Sequence, residues 1–319
     1  MGAQVNELIN VSLRGAEQWV LIRGNSLEDP LLLFLHGGPG FAQISFAPAF
    51  QRGLEKDFLV VNWDQRGAGK SYRWGMPVSD LTLETYIADT IELVVWLLLR
   101  FEQSQLVLVG HSWGATLGFH VVRQAPKRFR TFVATGVGAH FQDGERLSVG
   151  YLIAEAERRG HGEALERLRS IEFPITEETF IPYVKEKARW MKAFGGQFHA
   201  KPGPLIRRAL ATMIRSRRYT PLDTLRFVQG IRLGQEFARR TVPNVDLFEE
   251  VPQIDVPVCF CIGRYDYNTA FEMSRRYFEA LRAPAKRWVW FEGSGHAPPF
   301  EESERFAAVL AGVLPQAPS

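Results

Sequence analysis

The segment QLVLVGHSWGATLG, residues 105–118, joins an apolar run to a glycine-flanked serine and then to a helical pattern. Its centre, Gly110-His111-Ser112-Trp113-Gly114, has the form G-x-S-x-G. Such a pentapeptide arises by chance in about one chain in ten of this length, but here it follows a predicted strand and opens a predicted helix. That sharp turn exposes a serine hydroxyl at the carboxyl edge of a sheet. The segment therefore predicts Ser112 as a nucleophile.

Other apolar runs predict further strands of the same sheet. They are PLLLFLHGG (30–38), FLVVNWDQR (58–66), TFVATGVGA (131–139), PVCFCIGRYD (257–266) and KRWVWFEGSGH (286–296). Runs that are apolar throughout are typical of parallel strands buried on both faces. The alternating stretch NVSLRGAEQWVLIRG (10–24) instead predicts an opening β-hairpin, with its bend at Gly15 and Ala16.

Helical periodicity separates these strands. It is clearest over residues 82–101, where Thr82 offers an N-terminal cap, and it returns over residues 269–281 and 301–314. Alternating strands and helices predict an α/β fold with a mostly parallel sheet flanked by helices.

The strand signal disappears between residues 141 and 244, where amphipathic helical patterns are broken by prolines and glycines. We therefore expect one α/β core formed by residues 1–140 and 245–319. Residues 141–244 would form a helical cap inserted between the sixth and seventh strands.

Composition excludes several classes of protein. The 319 residues are 46% hydrophobic and 23% charged, which argues against disorder and low complexity. The net charge of +3 is too small by itself to indicate binding to nucleic acid or an anionic membrane. The predicted cap holds 19 basic and 12 acidic residues, which indicates either a solvated surface or attraction of anionic substrates.

The cellular setting is predicted from cysteines and from apolar stretches. Cys259 and Cys261 lie two residues apart, on one face of a predicted strand, so they form no disulfide framework. The first residues lack the pattern of a signal peptide, and the longest apolar stretch, which includes residues 94–99, is far too short to span a bilayer. We expect a cytoplasmic protein.

A serine nucleophile needs a base, and the base needs a carboxylate that fixes its tautomer. Asp266 directly follows the strand at 257–265, and His296 lies in the glycine loop after the last strand. The chain order is therefore serine, carboxylate, histidine, as expected when a serine follows such a strand-to-helix turn. Asp255 competes with Asp266 but precedes its strand and would lie at the opposite edge of the sheet. The other histidines lack a late strand before them; they are His36, His111, His120, His140, His161 and His199.

The tetrahedral intermediate also needs two backbone donors for its oxyanion. One is the N–H of Trp113, the residue after the nucleophile. The glycine-rich loop after the third strand, residues 36–40, supplies the second, which we assign to the N–H of Gly38.

The sequence resembles the α/β-hydrolases of the proline iminopeptidase type, peptidase family S33, over most of its length. The resemblance rests on His36-Gly37-Gly38-Pro39-Gly40, Asp64-Gln65-Arg66-Gly67-Ala68-Gly69-Lys70-Ser71, Gly110-His111-Ser112-Trp113-Gly114, Gly263-Arg264-Tyr265-Asp266 and Gly295-His296. It implies an α/β-hydrolase fold, a serine hydrolase with a helical cap, and no metal or organic cofactor. It also implies release of small N-terminal residues, often proline, from peptides or arylamides.

The cap departs from the family pattern. Tyr267 stands where one branch has a glutamate after the catalytic aspartate, and His111 stands where glycine is usual. The family's Trp-x-x-Trp-Glu motif has only Arg189-Trp190-Met191-Lys192 as its nearest analogue. An aminopeptidase needs a carboxylate for the substrate's ammonium, because an unpaired desolvated charge is costly. The candidates in the cap are Glu155, Glu157, Glu186 and Glu236.

Two other functions remain open on the same fold. A carboxylesterase or lactonase would use the same triad, and a non-catalytic receptor would close the cap over a small ligand. An epoxide hydrolase or haloalkane dehalogenase would need a carboxylate at the position of Ser112. The expected partner is a small molecule, peptide or ester substrate, without nucleic acid or membrane.

Overall fold

The structure of the protein is a computed structural model that describes residues 5–199 and 202–312. Within these residues the chain forms an eight-stranded sheet in the order β1-β2-β4-β3-β5-β6-β7-β8. The strands are β1 (Val5–Leu13), β2 (Ala16–Gly24), β3 (Leu31–Leu35), β4 (Leu59–Asp64), β5 (Leu106–His111), β6 (Phe129–Thr135), β7 (Val258–Gly263) and β8 (Lys286–Phe291). Strand β2 is antiparallel to both neighbours, and β3 to β8 are parallel. The predicted α/β fold class is confirmed.

Both faces of the central sheet are buried. Along β3, Leu31, Leu33 and Leu35 belong to the hydrophobic core on one face. Leu32 and Phe34 point to the other face and belong to the second core. Successive side chains of a strand alternate between faces, so a strand with two buried faces is apolar at most positions.

The opening hairpin turns one residue earlier than predicted. Arg14 and Gly15 form the turn, with φ angles of 48° and 72°, and Leu13 pairs with Ala16. A two-residue hairpin turn with positive φ at both positions matches the twist of the flanking strands. Ala16 therefore begins β2 and does not form part of the bend.

Eleven α-helices lie within the described residues. They are α1 (Leu83–Arg100), α2 (Trp113–Gln124), α3 (Phe141–Arg158), α4 (Gly162–Arg169), α5 (Phe180–Phe194), α6 (Gly203–Ser216), α7 (Pro221–Thr241), α8 (Leu247–Glu250), α9 (Phe271–Ala280), α10 (Pro298–Glu301) and α11 (Ser303–Ala311). Thr82 caps α1 by accepting a hydrogen bond from the N–H of Thr85. Two helices, α10 and α11, occupy the region where one was predicted, and the last two residues of that prediction lie outside the described residues.

Helices α3 to α7 lie between β6 and β7, and we call them the cap. Helix α7 packs closely on the core through two glycines. A Cβ atom on Gly234 would lie 2.3 Å from the carbonyl oxygen of Pro39, and one on Gly230 would lie 2.8 Å from that of Gly67. Glycine at these positions allows the helix to approach the loops after β3 and β4.

Two polar contacts join the cap to the core beside the end of β4. The ammonium of Lys70 lies 2.7 Å from the carboxylate of Asp223, and both side chains are buried. Tyr219 donates its hydroxyl to the carboxylate of Asp64. Burial raises the pKa of Asp64 to about 6, although hydrogen bonds from Tyr219 and from the Lys70 backbone oppose this shift.

Candidate active site

Ser112 lies at the turn between β5 and α2. Its φ of 56° and ψ of −121° are unfavourable for a residue with a side chain. A Cβ on Gly110 would lie 2.4 Å from the carbonyl oxygen of Gly114, and a Cβ on Gly114 would lie 2.1 Å from that of Leu35. The flanking glycines are therefore required for this turn to fit against β3.

Asp266 and His296 follow β7 and β8 and meet at the same edge of the sheet. The Nδ1 atom of His296 lies 3.2 Å and 3.1 Å from the two carboxylate oxygens of Asp266. Asp266 also accepts hydrogen bonds from the N–H groups of Asn268 and Thr269 and from the Thr269 hydroxyl, each over 3.0 Å. This arrangement holds Nδ1 protonated and leaves Nε2 as the basic nitrogen.

The charge of Asp266 is stabilised although the side chain is fully buried. Burial alone would raise the pKa of its carboxyl group. The positive charge and hydrogen bond of His296, together with the hydrogen bonds from Thr269, outweigh burial, so the pKa lies below its ordinary value. Asp266 is consequently ionised at neutral pH and orients the imidazole.

Residues that the sequence analysis missed hold the loop of His296. The carboxylate of Glu301 accepts hydrogen bonds from the N–H groups of Gly295 and Ala297, over 2.9 Å and 3.2 Å. From the cap, the carbonyl oxygen of Gln197 accepts the N–H of His296 over 2.7 Å. No sequence pattern predicts these contacts, because a carboxylate at the end of a short helix and a backbone carbonyl have no sequence signature.

The N–H groups of Gly38 and Trp113 are free to serve as donors: neither has a hydrogen-bond acceptor within residues 5–199 and 202–312. Gln65 connects the two segments that carry them. Its amide donates to the carbonyl oxygen of His36 over 3.1 Å and accepts from the indole N–H of Trp113 over 3.2 Å. Gln65 thus couples the position of the glycine loop to that of the turn at Ser112.

Two cavities meet at Ser112. The first has a volume of about 400 Å³, and its lining includes Trp113, Glu145, Tyr183 and Lys187. The second has a volume of about 340 Å³, and its lining includes His111, His296, Phe46, Phe300 and Ile206. Ser112 and Gly38 line both cavities, whereas His296 lines only the second.

The first cavity contains a carboxylate that the sequence analysis did not consider. Glu145 is 8% exposed, and its Oε2 atom accepts hydrogen bonds from the Tyr183 hydroxyl and, over 2.5 Å, from the Lys187 ammonium. Lys187 also donates to the carbonyl oxygen of Asn268 over 2.7 Å. Oε1 of Glu145 has no hydrogen-bond partner in the described part of the chain.

The four carboxylates proposed from sequence lie elsewhere. Glu155 and Glu236 pair with neighbouring arginines on their own helices, Glu157 pairs with Arg169, and Glu186 accepts from the Trp190 indole. None of the four lines either cavity. Tyr267 stacks on Tyr151 of the cap, with ring centroids 3.8 Å apart and an interplanar angle of 4°.

Three further features of the described residues concern metal binding, thiols and membrane-spanning helices. Over residues 5–199 and 202–312 no group of three or more histidine, cysteine, aspartate or glutamate side chains could hold a metal ion. Cys259 and Cys261 are buried free thiols. No helix in the same residues is long and apolar enough to cross a membrane.

Comparison with known proteins gives consistent results. A family model described as the alpha/beta hydrolase fold matches residues 30–303. The chain is 34% identical over 301 residues to the probable aminopeptidase YbaC of Bacillus subtilis, covering 94% of each protein. It is 25% identical over 294 residues to the proline iminopeptidase of Heyndrickxia coagulans, covering 89% of this chain and 90% of that protein.

Among solved structures, the proline iminopeptidase of Mycobacterium smegmatis superimposes with a TM-score of 0.67 and 19% sequence identity. The alignment covers 96% of this chain and 97% of that one. At this level of identity the similarity shows that the two proteins share a fold.

Proposed function

Because the chain belongs to the alpha/beta hydrolase fold family and is a proline iminopeptidase-like hydrolase, we propose that it is a serine aminopeptidase. Its substrates would be peptides or amides with a small N-terminal residue. The observation that supports this specificity is the nearly buried carboxylate of Glu145 in the first cavity, beside Ser112.

In the proposed reaction, Ser112 attacks the carbonyl carbon of the substrate while Nε2 of His296 accepts the hydroxyl proton. The oxyanion is held by the N–H groups of Gly38 and Trp113. When the C–N bond breaks, His296 returns the proton to the leaving nitrogen, and Asp266 stabilises the imidazolium in between. A water molecule, activated by the same histidine, then hydrolyses the acyl-enzyme.

The proton donor also sets the orientation of the substrate. The leaving nitrogen has to lie against the imidazole that protonates it. His296 lines the second cavity and not the first, which favours a leaving group bound in the second cavity. The acyl residue, with its free ammonium, then extends into the first cavity and towards Glu145.

Glu145 has one oxygen to offer to that ammonium. Lys187 and Tyr183 both bind Oε2, which leaves Oε1 for the substrate. Burial, the negative charge of Glu145 and their hydrogen bond raise the pKa of Tyr183 well above its ordinary value, so its hydroxyl stays a neutral donor. A hydrogen bond to a charged group contributes about 1.5–3 kcal/mol.

The test compares substrates with and without the ammonium. For Glu145→Gln we expect kcat/KM for prolyl or alanyl arylamides to fall by about ten- to a hundred-fold, with a much smaller effect on N-acetylated analogues. The double variant Glu145→Gln with Lys187→Met avoids leaving an unpaired buried ammonium. Glu236→Gln is the matched control, because Glu236 lies in the cap but lines neither cavity.

A carboxylesterase or lactonase is the second candidate. Lys187 already neutralises Glu145, so a substrate without a charge could also occupy the first cavity. If the wild-type enzyme prefers N-blocked or ester substrates, the aminopeptidase proposal is wrong and this one replaces it. Labelling of Ser112 by a fluorophosphonate separates both from a non-catalytic receptor.

A further inference from the structure

Five phenylalanine side chains form the largest apolar part of the second cavity's lining. They are Phe41, Phe46, Phe50, Phe198 and Phe300. Phe300 is central, with ring centroids 5.9 Å from Phe46 and 5.4 Å from Phe50. Helix α6 of the cap contributes Leu205, Ile206 and Ala209. The cavity is therefore a concave apolar surface placed directly beside Ser112.

The described lining of the second cavity differs in charge from that of the first. Among the described residues that line it, none is aspartate, glutamate, lysine or arginine, whereas the first cavity holds Glu145 and Lys187. Burial and the positive charge of His296 lower the pKa of His111 to about 3, so this second histidine is neutral at physiological pH. The polar lining of this cavity includes the uncharged side chains of Gln43 and Asn268. A charged substituent placed here would lose hydration without gaining a partner of opposite charge.

Large apolar side chains at this cavity remain in contact with solvent. Ile206 is 51% exposed and Phe41 is 47% exposed. A bound apolar group would remove both surfaces from water, which is favourable in proportion to the area covered. Aromatic groups gain most, because they bring a large area and pack edge-to-face on phenylalanine rings.

We propose that the second cavity is the leaving-group subsite and that it selects substrates whose leaving amine carries an aromatic or bulky apolar side chain. The inference rests on the proposed function, since it uses His296 as the proton donor to the leaving nitrogen. It assigns the two cavities opposite tasks: the first takes the charged N-terminal residue, and the second takes an uncharged apolar residue.

The experiment varies only the leaving group. Prolyl-glycinamide, prolyl-leucinamide and prolyl-phenylalaninamide share one acyl residue, and their terminal amides keep a carboxylate out of the cavity. We expect kcat/KM to rise by about ten-fold or more from the glycinamide to the phenylalaninamide. A flat or inverted series with the wild-type enzyme would overturn the proposal.

Variants then locate the selectivity. Phe46→Ala, which enlarges the second cavity, and Ala209→Phe, which fills it, should each reduce the ratio of phenylalaninamide to glycinamide turnover several-fold. Ile214→Ala is the matched control, because Ile214 is an apolar residue of the same helix α6, 78% exposed, and lines neither cavity. A ratio that is unchanged in both cavity variants would contradict the assignment.

A failure of the proposed function is recognised separately. If no prolyl amide is cleaved while Ser112 still reacts with a fluorophosphonate, the aminopeptidase proposal is wrong. The same leaving-group comparison is then made with methyl, butyl and benzyl acetate. A preference for benzyl acetate that is reduced in Phe46→Ala supports the subsite, and equal turnover of the three esters refutes it.

Discussion

The buried imidazole of His36 is expected to make the protein sensitive to mild acid. His36 is fully buried; its Nδ1 lies 2.9 Å from the carbonyl oxygen of Gly37, and its Nε2 lies 3.2 Å from the backbone nitrogen of Gln65. These contacts require a neutral ring, with Nδ1 donating and Nε2 accepting. Burial lowers the pKa of His36 from 6.5 to about 4, against the opposing effect of the Gly37 hydrogen bond.

The size of the effect follows from proton linkage. Because the folded pKa lies below the unfolded value, the unfolded chain takes up a proton first when the pH falls, which favours unfolding. The stabilisation is present at about pH 7 and is lost as the pH falls from 6.5 towards 4. Between about pH 7 and pH 5 the loss at this one site is about 2 kcal/mol.

The assay is urea unfolding at pH 7 and at pH 5, followed by tryptophan fluorescence. In His36→Gln, whose amide oxygen can accept from the Gln65 N–H, the loss of unfolding free energy between the two pH values should be smaller than in the wild type by about 2 kcal/mol. Val60→Ala in the buried strand β4 is the control, since it lowers stability without removing a titrating group. Equal losses in the wild type and His36→Gln would refute the reasoning.

Other predictions concern the proposed catalytic residues Ser112 and Asp266 and two glycines in the helices of the cap. Ser112→Ala should lower turnover by several orders of magnitude with little change in urea unfolding, and retention of more than about a tenth of the activity would contradict its role. Asp266→Asn should lower kcat by up to about 10⁴-fold, and wild-type activity would direct attention to another carboxylate. Gly234→Ala should destabilise the protein by about 1–3 kcal/mol and lower kcat, because its Cβ would press on the carbonyl of Pro39 in the glycine loop. Gly150→Ala, with nothing within 4 Å of its Cβ, should instead keep the activity and stabilise α3 by up to about 1 kcal/mol.

The fold could be predicted from the sequence because its signals are local. The parallel strands are apolar at successive positions, since both faces of the sheet are buried. The turn at Ser112 is marked by glycines that the neighbouring backbone requires. Asp266 and His296 could be predicted as the carboxylate and the base because parallel strands end at one edge of the sheet. The residues that follow β7 and β8 therefore lie close together. The observed hairpin bend lies one residue before the predicted one, because Arg14 as well as Gly15 adopts a positive φ.

The lining of the cavities, by contrast, depends on how the cap sits on the core. Helical periodicity identifies an apolar face, but the cap is rich in charges, and the pattern does not say which carboxylate turns inward. The close packing of Gly230 and Gly234, with the Lys70–Asp223 ion pair, fixes α7 on the core. On helix α3, Glu145 lies in the first cavity and pairs with a lysine 42 positions away in the chain. Such contacts join helices that are distant in sequence, so they form and stabilise the protein only once the tertiary structure brings those helices together.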